Sequence, residues 1–280
     1  MQTPRVAAIH DLSGFGRCSL TVAMPILSAM GVQCCPLPTA FLSTHTGGFT
    51  GFTFLDMTEE MPKVAAHWAS LDIRFQGIYS GFLGSAPQID TVASFIRRFR
   101  REDTVVVVDP VMGDEGKIYQ TYTAEMCAGM ARLADAADVI TPNLTEASLL
   151  LGGDGTLPKN ADFRQITAEL SCGGHRSVVL TGVSERPGLT GAMCFDAGTG
   201  VMEAVQTEFV SHPMHGTGDV FASVLTGGLL RGEGLIPAAR RAATFVRDCA
   251  ERTAAQNLPV REGVDFEPLL GRLIPQQSGN

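Results

Sequence analysis

Val105-Val106-Val107-Val108-Asp109-Pro110-Val111-Met112-Gly113-Asp114 places an unbroken β-branched apolar run ahead of two carboxylates, a proline and a glycine. A strand with no polar alternation is apolar on both faces, as strands are in a parallel sheet covered by helices. Pro110 and Gly113 break the run, so Asp109 and Asp114 fall in the loop that leaves it. Working outward, short β-branched runs at 6–9, 32–37, 77–80, 104–108, 139–141 and 177–180 alternate with helix-period segments such as 20–30 and 88–100. That alternation predicts βαβ units, hence an α/β chain with a central, mostly parallel sheet. Gly31 closes the first helix in the position a helix C-terminus favours.

Two segments depart from the pattern. Between 181 and 209 the helical period lapses, and short runs at 192–195 and 201–205 predict an antiparallel edge. The segment 44–54, THTGGFTGFTF, holds too much glycine for a helix and too many aromatics for a linker, and reads as a flap of about 44–55. Farther on, 218–257 predicts two helices broken near 232–237.

With 280 residues, 45% of them hydrophobic, the chain can bury a substantial core, and a single domain spanning 1–280 is expected. The formal charge is -8 and no basic block stands out, which excludes an electrostatic footprint for nucleic acid or anionic membrane. Seven scattered cysteines form no CxxC pair and no disulfide framework, so reduced thiols and a cytoplasmic, soluble protein are expected. The apolar part of the N-terminus is shorter than a signal segment, and no apolar run reaches membrane-span length.

In open parallel sheets ligands bind beyond the carboxyl ends of strands, so the exit loops are where chemistry belongs. His215-Gly216-Thr217-Gly218-Asp219 runs straight into the apolar helix VFASVLTGGLL. Amides opening a helix have no intrahelical partner and lie at the positive end of its dipole, where they can stabilise a transferring phosphoryl group while Asp219 takes a proton from an alcohol. Alone, the same residues are a glycine turn with an acid complementing the dipole. Asp109 and Asp114 can hold Mg²⁺ beside phosphates or simply shape a turn. In Thr141-Pro142-Asn143-Leu144-Thr145-Glu146, Asn143 and Glu146 approach a capping box, which needs no function at all. Thr181 and Gly182 end a strand where backbone could approach phosphates. No Walker A loop, no complete dinucleotide fingerprint and no zinc-ligand spacing of histidines occurs.

Taken in order, these loops resemble those of the ribokinase-like superfamily and, within it, the vitamin B6 kinases, over nearly the whole chain from Arg5 to the C-terminal helices. Pro36-Leu37-Pro38-Thr39 through Ser43-Thr44-His45-Thr46 resembles their substrate flap region, and Ser80-Gly81-Phe82-Leu83-Gly84-Ser85-Ala86 their next strand exit. The resemblance implies a sheet flanked by helices on both faces and transfer of the ATP γ-phosphate to the 5′-hydroxymethyl of a B6 vitamer. Asp219 would be the base and Gly216, Thr217 and Gly218 the anion hole. Asp109, Asp114 and Glu146 would surround Mg²⁺ and the phosphates, with Asn143, Thr181 and Gly182 along the ATP. Asp11, Ser13, His45, Thr46 and Phe82 would face the substrate. A monovalent cation such as K⁺ and a homodimer are implied as well.

Asp11 stands where such kinases usually have serine, and Phe82 where a tyrosine often packs on the ring. An acid at 11 suits an amine, which makes pyridoxamine the first choice of vitamer. Asp11-Leu12-Ser13-Gly14 also resembles the hydroxymethylpyrimidine kinases, whose anion-hole motif often ends in cysteine where this chain has Asp219. Hydroxymethylpyrimidine kinase is therefore the alternative enzyme. A vitamer sensor without turnover is the alternative from another class.

Overall fold

The four valines at 105–108 behave as their pattern requires: in the computed structural model, which describes residues 3–275, Val106 and Val108 pack into one core and Val107 into the other. They form β5 (Val105–Val108) of a nine-stranded sheet, order β11-β10-β9-β8-β5-β4-β1-β2-β3. The other strands are β1 (Arg5–Ser13), β2 (Gln33–Leu42), β3 (Phe54–Asp56), β4 (Gly77–Ser80), β8 (Val139–Ile140), β9 (Ser177–Val183), β10 (Leu189–Asp196) and β11 (Val201–Glu208). A small hairpin of β6 (Gly113–Asp114) and β7 (Lys117–Ile118) stands apart from the sheet. Strands β2, β1, β4, β5, β8 and β9 run parallel, while β10 and β11 make the antiparallel edge the sequence predicts.

Helices cover both faces. On one side lie α2 (Met61–Ser70), α3 (Ala86–Phe99), α4 (Ala124–Asp135), α5 (Leu144–Leu150) and α6 (Phe163–Leu170), which contribute Met61, Phe95, Met130, Ala147 and Leu170 to the larger core. On the other lie α1 (Ser19–Ala29), α7 (Thr217–Leu230) and α8 (Leu235–Gln256), with Ile26, Leu225 and Phe245 buried among them. Gly31 has φ 76 and ends α1 as expected. Short 3-10 turns at Val260–Glu262 and Glu267–Leu273 close the described chain, and no helix among the described residues is long and apolar enough to cross a membrane.

The N-terminal strands are longer than their apolar runs. β1 continues through His10 and Asp11 to Ser13, slipping register against β2 between His10 and Leu12. β2 continues to Leu42, so 36–42 belongs to the sheet and only 43–53 forms the flap. β3 then pairs antiparallel with β2 at Ala40–Leu42, a second antiparallel edge that the sequence did not announce. The flap's neck is closed by Ser43 N–H donating to the Thr53 carbonyl at 3.2 Å and Thr53 N–H donating to Ser43 Oγ at 2.9 Å.

Candidate active site

Strand order reverses at β1, which is flanked by β2 on one side and β4 on the other. The crevice beyond the carboxyl ends of strands at such a reversal is where a ligand fits in an α/β sheet. Asp11 ends up there from β1, Phe82 from the exit of β4, Asp109 from β5, and the N-terminus of α7 packs across from α1.

The start of α7 is unsealed. Its cap is Gly216 at φ 83, and no side chain among the described residues bonds to the cap. A Cβ at Gly216 would stand 2.2 Å from the Arg17 carbonyl, so only glycine fits. At Gly218, by contrast, a Cβ would meet nothing within 4 Å, so that amide lies beside open space. Free amides at the positive end of a 14-residue helix, next to open space, are an arrangement that can hold an anion. Asp219 follows on the first turn and is partly buried; desolvation pushes its carboxyl up to about 7, opposed by the Ser19 backbone amide and reinforced by the charges of Asp109 and Asp11.

Asp109 and Glu146 are both buried and close enough to act on each other. Desolvation raises Asp109 to about 7 against the hydroxyl of Thr141, which donates to Asp109 Oδ1 at 3.0 Å. Glu146 is raised well above the carboxylate range, first by burial and then by the Asp109 charge. It also closes the capping box of α5, with Oε2 accepting Asn143 N–H at 2.8 Å, and Oε1 accepts Met112 N–H at 3.2 Å. Asn143 caps Glu146 N–H at 2.9 Å and donates from Nδ2 to the Gly113 carbonyl at 2.8 Å, tying α5 to the β5 exit loop. Asp114 instead sits exposed on the β6–β7 hairpin, its Oδ1 accepting Glu115 N–H at 2.8 Å. Thr181 and Gly182 lie within β9, with Gly182 exposed and at φ 75.

The residues assigned to substrate divide. Asp11 is buried and raised by desolvation, with Ser13 Oγ donating to Oδ2 at 2.8 Å. Ser13 is fully buried, so it holds Asp11 in place and offers no surface to a ligand. Phe82 sits edge-on to Tyr122, centroids 6.1 Å apart, and its carbonyl accepts Thr39 Oγ1 at 2.9 Å. Thr46 is exposed on the flap. His45 is buried, with both ring nitrogens bonded to backbone, so a substrate would find no free nitrogen on it.

Ser19 was not singled out from the sequence, and it sits at the centre of the site. Its φ of 50, in the left-handed region, strains a non-glycine residue at the head of α1 and turns its amide toward Asp219. A serine before an apolar helix gives no sign of that. Thr141 was visible in the Thr-Pro-Asn motif, and its bond to Asp109 gives it a role.

Asp11, Asp109 and Glu146 are buried and Asp219 is partly so, and no lysine or arginine among the described residues forms an ion pair with any of the four. Such carboxylates are costly to ionise without a cation. No three His, Cys, Asp or Glu side chains among the described residues are placed to cage a metal by themselves. One or two carboxylates completed by water and phosphate oxygens is the arrangement Mg²⁺ takes in phosphoryl-transfer sites, and Asp109 with Glu146 fits it.

A family model described as phosphomethylpyrimidine kinase matches residues 24–264. The pyridoxine/pyridoxal/pyridoxamine kinase of Bordetella bronchiseptica is 28% identical over 257 residues, 89% of each chain. Among solved structures, a Bacteroides thetaiotaomicron protein described as a candidate phosphomethylpyrimidine kinase, crystallised with pyridoxal, is 41% identical, with TM-score 0.91 and 99% of this chain and 98% of that one covered. The pyridoxal kinase of Lactobacillus plantarum is 32% identical, with TM-score 0.90 and 97% of each chain covered.

Proposed function

Since this chain belongs to the phosphomethylpyrimidine kinase family, we propose that it transfers the γ-phosphoryl group of ATP to the 5′-hydroxymethyl of a vitamin B6 vitamer: pyridoxal, pyridoxine or pyridoxamine. The observation that carries this reading is the unsealed start of α7 with Asp219 on its first turn. Support for the acceptor comes from the pyridoxal held by the 41% identical Bacteroides protein.

In this reading the hydroxymethyl proton passes to the Asp219 carboxylate as the oxygen attacks the γ-phosphorus and ADP leaves. The amides of Gly216, Thr217 and Gly218 stabilise the charge that builds on the phosphoryl oxygens. A raised pKa makes Asp219 a stronger base than an ordinary carboxylate, so it holds the proton more readily in mid-transfer. Asp109 and Glu146 would hold Mg²⁺, which would supply positive charge to offset that of the phosphates. Asn143 fixes the loop geometry around them, Asp114 covers the nucleotide from the hairpin, and Thr181 and Gly182 lie along it. Asp11, Thr46 and Phe82 face the ring, with Ser13 and His45 supporting them from behind. A K⁺ ion near the phosphates, a homodimer and a cytoplasmic setting belong to the same proposal.

Hydroxymethylpyrimidine as acceptor is the second reading, favoured by the family description and by Asp11-Leu12-Ser13-Gly14. A sensor without turnover has no use for a base set against an anion site. Incubation with ATP, Mg²⁺ and pyridoxine, followed by mass and ³¹P analysis, tests the proposal. A phosphate ester on the hydroxymethyl oxygen supports it, and unchanged pyridoxine, pyridoxal and pyridoxamine with intact ATP contradict it.

A further inference from the structure

The flap is fastened to the site by one imidazole ring. His45 Nε2 lies 2.7 Å from the Arg261 carbonyl, and its Nδ1 lies 3.0 Å from the Gly47 amide. A carbonyl only accepts and an amide only donates, so the ring is neutral with its proton on Nε2. The carbon atoms of the ring are committed too. A Cβ at Gly16 would stand 2.2 Å from His45 Cδ2, so the ring rests on the backbone of the loop between β1 and α1. Phe49 meets it edge-on with centroids 5.1 Å apart, and His215, the residue before Gly216, with centroids 5.4 Å apart. Gly47 in turn lies close to His215, where a Cβ would be 3.1 Å from Cε1. The Arg261 guanidinium covers Phe49 at 5.3 Å, and Val264 N–H donates to the His215 carbonyl at 3.0 Å. Four loops thus meet at His45: the β1 exit, the flap, the approach to α7 and the turn at 260–264.

We propose that His45, as the neutral Nε2–H tautomer, is a positioning residue that holds the flap against the N-terminus of α7 and so encloses the hydroxymethyl substrate over Gly216–Asp219. What the flap encloses rests on the function proposed above; the fastening itself is a property of the protein alone. His45 acts through Gly47 and Phe49, since neither nitrogen is free to read a ligand. Groups facing it are His215 from the α7 side, Asp11 from β1 and Arg261 from the C-terminal turn. Protonating Nδ1 would set a donor against the Gly47 donor, and burial, which lowers the ring's pKa from 6.5, keeps the fastened form at neutral pH.

The test is hydrogen–deuterium exchange over 44–54 in the full chain, paired with steady-state kinetics, for wild type and His45→Ala, His45→Asn and His45→Gln. Loss of both bonds in His45→Ala should speed exchange at Gly47 to Phe49 and raise the vitamer KM by about tenfold each, the equivalent of one or two hydrogen bonds, with the ATP KM within about twofold. Asn can accept from Gly47 and Gln can donate to the Arg261 carbonyl, so each should recover part of the protection; they also carry the comparison if the alanine variant does not fold. Wild-type exchange in all three variants overturns the proposal, as does an ATP KM that rises as much as the vitamer KM. Exchange needs no turnover, so a protein that phosphorylates no vitamer would still report on the fastening, and the two failures stay distinct.

Discussion

α5 and α7 both begin at the carboxyl end of the sheet with an acid on the first turn, and they begin in opposite ways. At α5, Asn143 and Glu146 bond reciprocally at 2.9 and 2.8 Å, spending on each other the donors that a helix start leaves free. At α7 the cap is Gly216, which has no side chain to offer, and Gly218 opens on space. The same arrangement of turn residue, helix and acid therefore yields a sealed cap in one place and unspent amides, the proposed anion hole, in the other. What separates them is whether a side-chain oxygen reaches back to the first amides. Glu146 is turned onto its own helix, whereas Asp219 is free of the cap and faces Asp11 and Asp109.

Substitutions at the two starts should fail in different ways. Asp219→Asn should lower kcat by about two to four orders of magnitude while ATP binding, followed by calorimetry, stays largely intact. Normal turnover in that variant would end the base assignment. The same carboxyl must be ionised to accept a proton, and its pKa is raised to about 7, so kcat/KM should fall as pH drops through about 7 and level off above it. Gly216→Ala meets both the positive φ and the Arg17 carbonyl, and should cost roughly 2–3 kcal/mol of stability in denaturant titration, along with activity. Asn143→Ala should cost only about 1 kcal/mol, the usual value of a lost cap, with a smaller effect on turnover than Asp219→Asn. A larger loss of activity at 143 than at 219 would reverse the comparison.

How much of this could be read beforehand follows from what the sequence encodes locally. The valine run fixed β5, and the lapse of helical period after 181 marked β10 and β11. The apolar run that predicts β2 ends at Leu37, whereas the strand carries on to Leu42 with Pro36 and Pro38 inside it. They are tolerated because the edge of β2 away from β1 is unpaired there, β3 reaching only Ala40–Leu42. β1 was cut short because Asp11 and Ser13 read as loop, yet they bond to each other inside the sheet. Asp219 and its glycines, Asp109 and Glu146 could be named from motif order, and the fold brings them to one crevice. The family resemblance implies that Ser13 and His45 face the substrate, but their polar atoms are bonded inside the protein, a matter of tertiary contacts that spacing does not record. The strained Ser19 amide is likewise a product of packing.

The most direct test of the account is a comparison of kcat/KM for Mg²⁺-dependent ATP consumption with pyridoxamine, pyridoxine, pyridoxal and hydroxymethylpyrimidine. The account predicts a B6 vitamer as the best acceptor, pyridoxamine first if Asp11 recognises its amine. Turnover of pyridoxal equal to or better than pyridoxamine would remove the role given to Asp11, and hydroxymethylpyrimidine as the best acceptor would contradict the vitamin B6 assignment itself.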